Sequence, residues 1–453
     1  MFILAKFKQY LLLFVDLIIL FASLYITLYI RYCQTYIGDH WQEYFYPFAI
    51  IYILWVIIFY SQNLYNLNFT KNNLFFFRTL SESFIANILI TALFFYFTPF
   101  FGIAPKTNLF LNAVIAGVLL IGWRALFNLL MARYIFKNRI VFIGYSKEAR
   151  ELMSAFKSEP QLGYESIGVV NDEKIVDADF NQPTVDELTQ NIKTLGVNTI
   201  AIRYGANLEG ETSGKLYRLI FSDVTFVNLL KLYEQITGKL PIETLSHGWF
   251  LNNLQESEKK IYDRFKAALD YFLALALGVI LLVLFLPVSF LILITDGRPV
   301  FYSQKRVGKN GKAFEIRKFR TMIKNAEAGT PQYAEKDDRR VTPLGKFLRR
   351  TRVDELPQIL NILRGEMSFI GPRPERPEFA EELAQKAPFY PLRHLIKHGL
   401  TGWAQINYPY AGSIGENIQK LQYDIYYIKN RSLLLDIAIA LKTLNIILRF
   451  RGR

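Results

Sequence analysis

The run "YFLALALGVILLVLFLPVSFLILI", Tyr271 to Ile294, carries no charged side chain and is long enough to cross a bilayer. A simple crossing would leave the charges on its two flanks on opposite sides. Both flanks are basic here: Arg264 and Lys266 before it, then Arg298, Lys305, Arg306 and Lys309 after it. Pro287 sits inside the run and removes a helical hydrogen bond. These features suit a segment that dips into the bilayer and returns to the same side. On these residues alone a kinked spanning helix is an equal alternative.

Four more apolar runs lie upstream, at about Tyr10 to Ile30, Tyr44 to Ser61, Ser83 to Phe101 and Asn108 to Met131. Asp16 interrupts the first; an acid there is either functional or paired with another helix, and pairing is the expectation. Lys6, Lys8, Lys71, Arg78, Arg133, Lys137 and Arg139 fall on one side of these runs, and only Arg31 and Lys106 on the other. The positive-inside rule then places both ends of the unit in the cytoplasm. No small-residue cleavage site clearly follows the first run, so it reads as a retained helix.

The chain has 453 residues, 52% hydrophobic and 15% aromatic, yet a net charge of +14. That combination points to a membrane protein with a basic part facing lipid headgroups or phosphates, and no feature suggests nucleic acid. The single cysteine, Cys33, excludes an internal disulfide. The histidines His40, His247, His394 and His398 are read as scattered, with none in the two-histidine helical spacing of a zinc site.

From Asn138, "RIVFIGYSKEARELMSAF" reads as buried strand, turn and amphipathic helix, and further strand–helix alternation follows to about residue 245. This is the pattern of a parallel, doubly wound, Rossmann-like sheet. Its first turn offers Gly144, Ser146 and Ala149 to a G-x-G-x-x-G/A fingerprint. Serine at the middle position argues against a dinucleotide and for a structural or regulatory domain. The expected domains are four transmembrane helices at 1-135, the Rossmann-like unit at 138-248, and a mixed α/β catalytic unit at 260-453 with its membrane segment at about 268-295. Near the C-terminus, "LLLDIAIALKTLNIILRFRGR" is suited either to an interfacial position or to an ordinary core.

Chemistry concentrates in "RRTRVDELPQILNILRGEMSFIGPRP", Arg349 to Pro374. Adjacent carboxylates repel unless cations lie close, and Arg349, Arg350, Arg352, Arg364 and Arg373 are available. Arginine forks match phosphate oxygens. Magnesium prefers carboxylate and phosphate oxygens, and an aspartate can attack phosphorus directly. Asp354 and Glu355 could divide such work, one as nucleophile and one as metal ligand or base, on a turn set by Pro357. The plainer reading places the two acids at a helix N-terminus, favoured by its dipole.

"KFRTM" (Lys318 to Met322), "DELPQILNILRGEMSFIGPRPERPEF" (Asp354 to Phe379), "LTGWAQIN" (Leu400 to Asn407) and "KLQYDIYYIKNRSLLLDI" (Lys420 to Ile437) together resemble the bacterial sugar transferase family, in its polytopic polyprenyl-phosphate phosphoglycosyltransferase branch. The resemblance implies transfer of sugar-1-phosphate from a UDP-sugar to undecaprenyl phosphate, releasing UMP, as the first membrane step of exopolysaccharide, capsule or O-antigen synthesis. It implies Asp354 as covalent nucleophile and Glu355 as its partner acid, both near Mg2+. It implies Arg373 as a phosphate ligand, Lys318, Arg320 and Arg352 as further phosphate candidates, and Gln358 as a site-shaping residue. It also implies a re-entrant helix broken near Pro287, a multi-pass protein of the bacterial inner membrane with a cytoplasmic active site, and a homodimer. His398 stands where the family often has proline, so a more flexible turn is expected there. "NYPYAGS", Asn407 to Ser413, resembles one branch of the family without naming a sugar.

Two other classes fit the sequence less well. A membrane-anchored nucleotide-sugar dehydratase or epimerase needs a Tyr-x-x-x-Lys pair, and Tyr145, Tyr164, Tyr204, Tyr217 and Tyr233 all lack that lysine. A non-catalytic scaffold would not need the acid pair with its arginines.

Overall fold

A computed structural model describes residues 2–32, 37–66, 72–98, 106–133, 138–170, 185–203, 211–222, 224–254, 256–324, 326, 338–408 and 412–448. Cys33, Lys71, Lys137, Pro409 to Ala411 and the chain from Arg449 onward lie outside the described residues. The chain divides into two units, Met1–Leu232 and Tyr233–Arg453.

The first unit opens with α1 (Phe2–Tyr32), α2 (Ile37–Ser61), α3 (Leu74–Phe97) and α4 (Lys106–Arg133). Each contains a stretch long and apolar enough to cross a membrane by length and composition. Leu12, Asp16, Leu20, Leu24 and Leu28 are fully buried at every fourth position of α1. Ala116, Leu120 and Arg124 repeat that spacing on α4, so each helix presents one stripe to its neighbours. Polar rungs tie α1 to α4. Arg31 Nη1 donates to Asn108 Oδ1 at 2.9 Å, and Asn112 Nδ2 donates to Ser23 Oγ at 2.9 Å. The Arg124 guanidinium binds the Asp16 carboxylate, donates to Leu64 O at 2.6 Å and lies over the Tyr65 ring. The acid in the first run is therefore paired, as expected, and its partner is Arg124.

The unit continues with β1 (Asn138–Ile143), α5 (Lys147–Ser158), β2 (Tyr164–Val170), α6 (Val185–Asn191), β3 (Thr199–Ile202), α7 (Glu211–Arg218) and β4 (Thr225–Asn228). The strands form one parallel sheet in the order β2-β1-β3-β4. In its first turn Gly144 takes φ +85°. Ser146 caps α5 by accepting from Ala149 N at 3.2 Å, so the residue at the fingerprint's middle position serves the helix end.

α8 (Leu229–Thr237) runs across the division between the units. The stretch after it packs within the second unit. Trp403 Nε1 donates to Gly238 O at 2.8 Å, Leu240 N donates to Gln422 O at 3.1 Å, and Phe250 of α9 (His247–Asn253) packs on Phe389.

The long apolar run lies in α10 (Lys260–Thr295), one helix continuing through Pro287. Secondary structure is continuous across Pro287, which supplies no N–H to the preceding turn. Ala274, Leu281, Val288 and Ile292 bury one stripe against Ile316, Phe319, Leu348, Ile359, Ile362 and Met367. The rest of the surface, including Phe272, Val279, Leu282, Val283, Leu286 and Phe290, is exposed.

The unit is completed by an antiparallel hairpin of β5 (Phe301–Val307) and β6 (Ala313–Phe319), turning through Gly308 and Gly311 as expected. Next come α11 (Pro343–Thr351), a 3-10 turn at Val353–Gln358, α12 (Ile359–Leu363), β7 (Met367–Ile370), α13 (Pro377–Lys386) and β8 (His398–Thr401). β8 runs parallel to β7. α14 (Trp403–Asn407), α15 (Ile414–Asn430) and α16 (Leu433–Leu448) end the described chain.

Removing one partner of a buried ion pair strands the other charge, at a cost of about 3 to 5 kcal/mol. Arg124→Leu is expected to destabilise the protein by about that amount. The double variant Asp16→Leu/Arg124→Leu is expected to recover most of it, measured as thermal unfolding in detergent.

Candidate active site

The acid pair sits on the 3-10 turn Val353–Gln358. Arg352 enters this turn with φ +59°, a conformation that a residue with a side chain rarely adopts. It ends α11, its N–H bonding Arg349 O at 3.2 Å, and redirects the chain. Pro357 lies inside the turn, where a missing N–H does little harm. Asp354, Glu355 and Gln358 are all buried in consequence.

Glu355 is held from three directions. Its Oε1 accepts from Lys318 Nζ at 3.1 Å and from Arg373 Nη2 at 2.9 Å, and its Oε2 accepts from Arg352 Nη1 at 3.2 Å. Burial alone would raise its pKa, but Lys318, Arg373 and Arg352 outweigh burial and hold it well below the usual carboxylate range. Asp354 has the opposite fate. Burial first, then the neighbouring Glu355 charge, push it up to about 7. Its Oδ1 is buried with no hydrogen-bond partner, and the same holds for Gln358 Nε2. The pair thus contains one committed carboxylate and one poised carboxyl group.

Of the phosphate candidates, the structure brings Lys318, Arg352 and Arg373 together around Glu355. Arg320 is turned elsewhere: its Nη2 donates to Asp296 O at 2.6 Å and Gly297 O at 2.5 Å, at the C-terminal end of α10. A guanidinium beside the end of a helix is drawn to its free carbonyls, while Arg320 Nε and Nη1 are buried without a hydrogen-bond partner. Pro287 lies within α10 and contributes no polar group to the acid pair.

Sequence reasoning missed the layer behind Arg373. Every carbonyl of the loop Pro372 to Glu375 is held. Pro372 O accepts from Gly399 N at 2.8 Å and faces His398 Nδ1 at 3.0 Å. Arg373 O accepts from Arg393 Nη2 at 3.0 Å, Pro374 O from Arg306 Nη1 at 3.1 Å, and Glu375 O from Val307 N at 2.9 Å. Beneath them Arg393 pairs with Asp424 at 2.8 Å, and Glu375 with Lys420 at 3.5 Å. The available signal was the spacing of Lys420 and Asp424, which puts both on one face of α15.

Two expectations about histidine fail here. His394 and His398 are in fact four residues apart, and their rings meet, Nδ1 to Nε2, at 3.0 Å. The turn at His398 is not loose: the ring is fully buried and hydrogen-bonded on both sides. Burial, helped by the Arg393 charge, pushes His398 down to about 3 and His394 to about 4, so both rings are neutral near pH 7.

The fit to magnesium rests on oxygen donors. Among the described residues no group of three or more His, Cys, Asp or Glu side chains is arranged to hold a metal ion. Glu355 is committed to its three cations, while Asp354 Oδ1 is a buried oxygen without a partner. Such a donor set fits a magnesium ion that keeps water and takes its other ligands from substrate phosphates.

The description "Bacterial sugar transferase" belongs to a family model that matches residues 261–450, the whole of this site. The UDP-glucose:undecaprenyl-phosphate glucose-1-phosphate transferase of Xanthomonas campestris is 30% identical over 341 residues, covering 71% of this chain and 68% of that protein. The chain belongs to the bacterial sugar transferase family. Within this family, the UDP-N-acetylgalactosamine-undecaprenyl-phosphate N-acetylgalactosaminephosphotransferase of Aeromonas hydrophila is 38% identical over 256 residues, 55% of this chain and 60% of that protein. The undecaprenyl-phosphate galactose phosphotransferase of Salmonella typhimurium is 29% identical over 347 residues, 70% of each chain. The chain therefore spans about three-fifths to seven-tenths of the length of these sugar transferases. A second model, described as a CoA-binding domain, matches residues 61–200, taking in α3, α4 and the sheet as far as β3.

An infrared titration of the carboxyl groups is expected to find Asp354 losing its proton near pH 7. In Glu355→Gln a repelling charge is gone and three cations are released toward Asp354, so its midpoint is expected to move down.

Proposed function

We propose that this chain transfers sugar-1-phosphate from a UDP-sugar to undecaprenyl phosphate by way of a covalent aspartyl intermediate. The observation that carries the proposal is the asymmetry of the acid pair: a buried carboxyl group whose Oδ1 has no partner beside a carboxylate clamped by three cations. The relatives' names supply the substrate class. They name different sugars, so the donor sugar is the quantity to assay.

In this reading the ionised Asp354 carboxylate attacks the phosphorus that bears the sugar. A bond forms from Asp354 oxygen to phosphorus. The bond from that phosphorus to the bridging oxygen breaks, and UMP leaves with the electron pair. An oxygen of undecaprenyl phosphate then attacks the same phosphorus and returns Asp354 as a carboxylate. Two displacements at one centre let a soluble donor and a lipid acceptor use one site in turn.

Arg373, Lys318 and Arg352 receive the phosphoryl oxygens, their positions set by Glu355. Glu355 serves mainly as this anchor; three bound cations make it a poor base. Gln358 offers its unpartnered amide N–H to the substrate. Magnesium held by Asp354 and substrate phosphates would neutralise developing charge on the transferring group.

The reading extends to topology. α1 to α4 cross the bacterial inner membrane, and α10 enters and leaves it on the cytoplasmic side, where nucleotide sugars are. Both ends of α10 are tied into the same folded unit. Near its start Lys266 reaches Asp436 at 2.9 Å and Arg431 reaches Asp263 at 3.1 Å; at its end Thr342 Oγ1 donates to Asp296 Oδ2 at 3.0 Å. A helix fastened at both ends to one soluble unit supports the re-entrant geometry over a crossing, with α10 bending at Pro287, where a helical hydrogen bond is missing. The homodimer implied by the resemblance belongs to the same proposal.

The test is nucleotide release from purified protein given magnesium, undecaprenyl phosphate and a panel of UDP-sugars. UMP with one sugar is expected, reduced at least ~10³-fold in Asp354→Asn. UDP in its place would mean that only the sugar moves, and would defeat the aspartyl mechanism.

A further inference from the structure

The loop that carries Arg373 packs against β8 with no room for side chains. A Cβ on Gly399 would lie 2.1 Å from Gly371 N, and one on Gly402 would lie 2.1 Å from Gly371 O. Backbone contact sets the distance between the two segments. The orientation of the peptide before Arg373 depends in addition on a side chain, the His398 imidazole, fully buried and 3.0 Å from Pro372 O.

The protons on the two rings follow from their partners. A peptide carbonyl only accepts, so His398 Nδ1 carries the proton. In the neutral ring Nε2 is then an acceptor, and the proton between the rings belongs to His394 Nδ1. A one-way chain results, from His394 to His398 to Pro372 O. One residue further on, Arg393 holds Arg373 O, and Arg373 itself reaches Glu355 at 2.9 Å. The imidazole chain therefore ends one peptide from the guanidinium that anchors the acid pair.

We propose that His398 is a positioning residue for the transfer reaction: its imidazole, oriented by His394, holds the Pro372 peptide and so sets Arg373 against Glu355 and the transferring phosphate. The proposal rests on reading the site as a phosphosugar transferase. In the wider family the resemblance places a proline here, which has no side-chain donor. In this chain a histidine makes a contact that a proline cannot.

The test compares UMP release by the wild type with His398→Ala, His398→Gln, His398→Asn, Arg373→Ala and the double variants carrying Arg373→Ala. An asparagine amide nitrogen lies where the Nδ1 donor lies; a glutamine amide reaches toward the Nε2 position instead. His398→Ala and His398→Gln are expected to lose about tenfold in kcat/KM, the scale of one buried hydrogen bond left unmade. His398→Asn is expected to stay within about twofold of the wild type, because it keeps the donor. In the Arg373→Ala background the alanine and glutamine changes are expected to add less than about twofold, because residues acting as one unit are not additive.

Melting temperatures taken alongside separate folding from positioning, and if His398→Ala does not fold, the glutamine and asparagine pair carries the comparison. A tenfold loss repeated without Arg373, or an asparagine variant as weak as the glutamine one, would overturn the proposal. Absence of UMP release by the wild type with every donor would defeat the functional reading itself, a result distinct from an additive cycle in an active enzyme.

Discussion

Glu355 between Lys318, Arg352 and Arg373 is the interaction on which the rest of the site depends. These residues come from the hairpin strand β6, the end of α11 and the loop after β7, and one carboxylate accepts from all three. Taking a carboxylate out of water is costly, and attraction to well-placed cations offsets that cost without reliably adding stability. What the cluster supplies is position. Burial first, and then the adjacent Glu355 charge, keep a proton on Asp354 until near neutrality against the pull of the cations.

The loop at Pro372 to Glu375 shows how an arginine is made rigid. Its side chain is long and flexible, so its placement must come from the backbone beneath it. Backbone N–H groups, two arginines and an imidazole hold the four carbonyls, and glycines at 371, 399 and 402 allow the segments to touch. Below this layer Arg393 pairs with Asp424, and Glu375 with Lys420 and Arg306. A preorganised cation costs no rearrangement when charge develops on a phosphoryl group.

Much of this was legible in the sequence. The apolar runs, the strand–helix alternation and the hairpin at Gly308 and Gly311 are local patterns, and local geometry produced them. The acid pair with its arginines marked the site because like charges need a reason to be adjacent. Asp16 announced a partner, but nothing nearby could say that Arg124 was the one. The features that local sequence did not show share that cause. Arg320 looked like Lys318 in "KFRTM", yet the nearby end of α10 captured it. Pro287 marked a weak point in α10, and nothing beside it in the sequence said that helix would continue on both sides. His398 suggested a loose turn, because its two partners, His394 and the Pro372 carbonyl, converge on it only in the folded chain.

The central claim is that Asp354 takes the phosphosugar onto itself. The most direct measurement is the intact mass of the purified protein after exposure to its UDP-sugar donor with magnesium and no lipid acceptor. The account predicts a mass increase of one sugar phosphate, located at Asp354 by peptide mapping, absent in Asp354→Asn and discharged on adding undecaprenyl phosphate. An enzyme that turns over with both substrates, yet shows neither this adduct nor any UMP release until the acceptor is added, would contradict it.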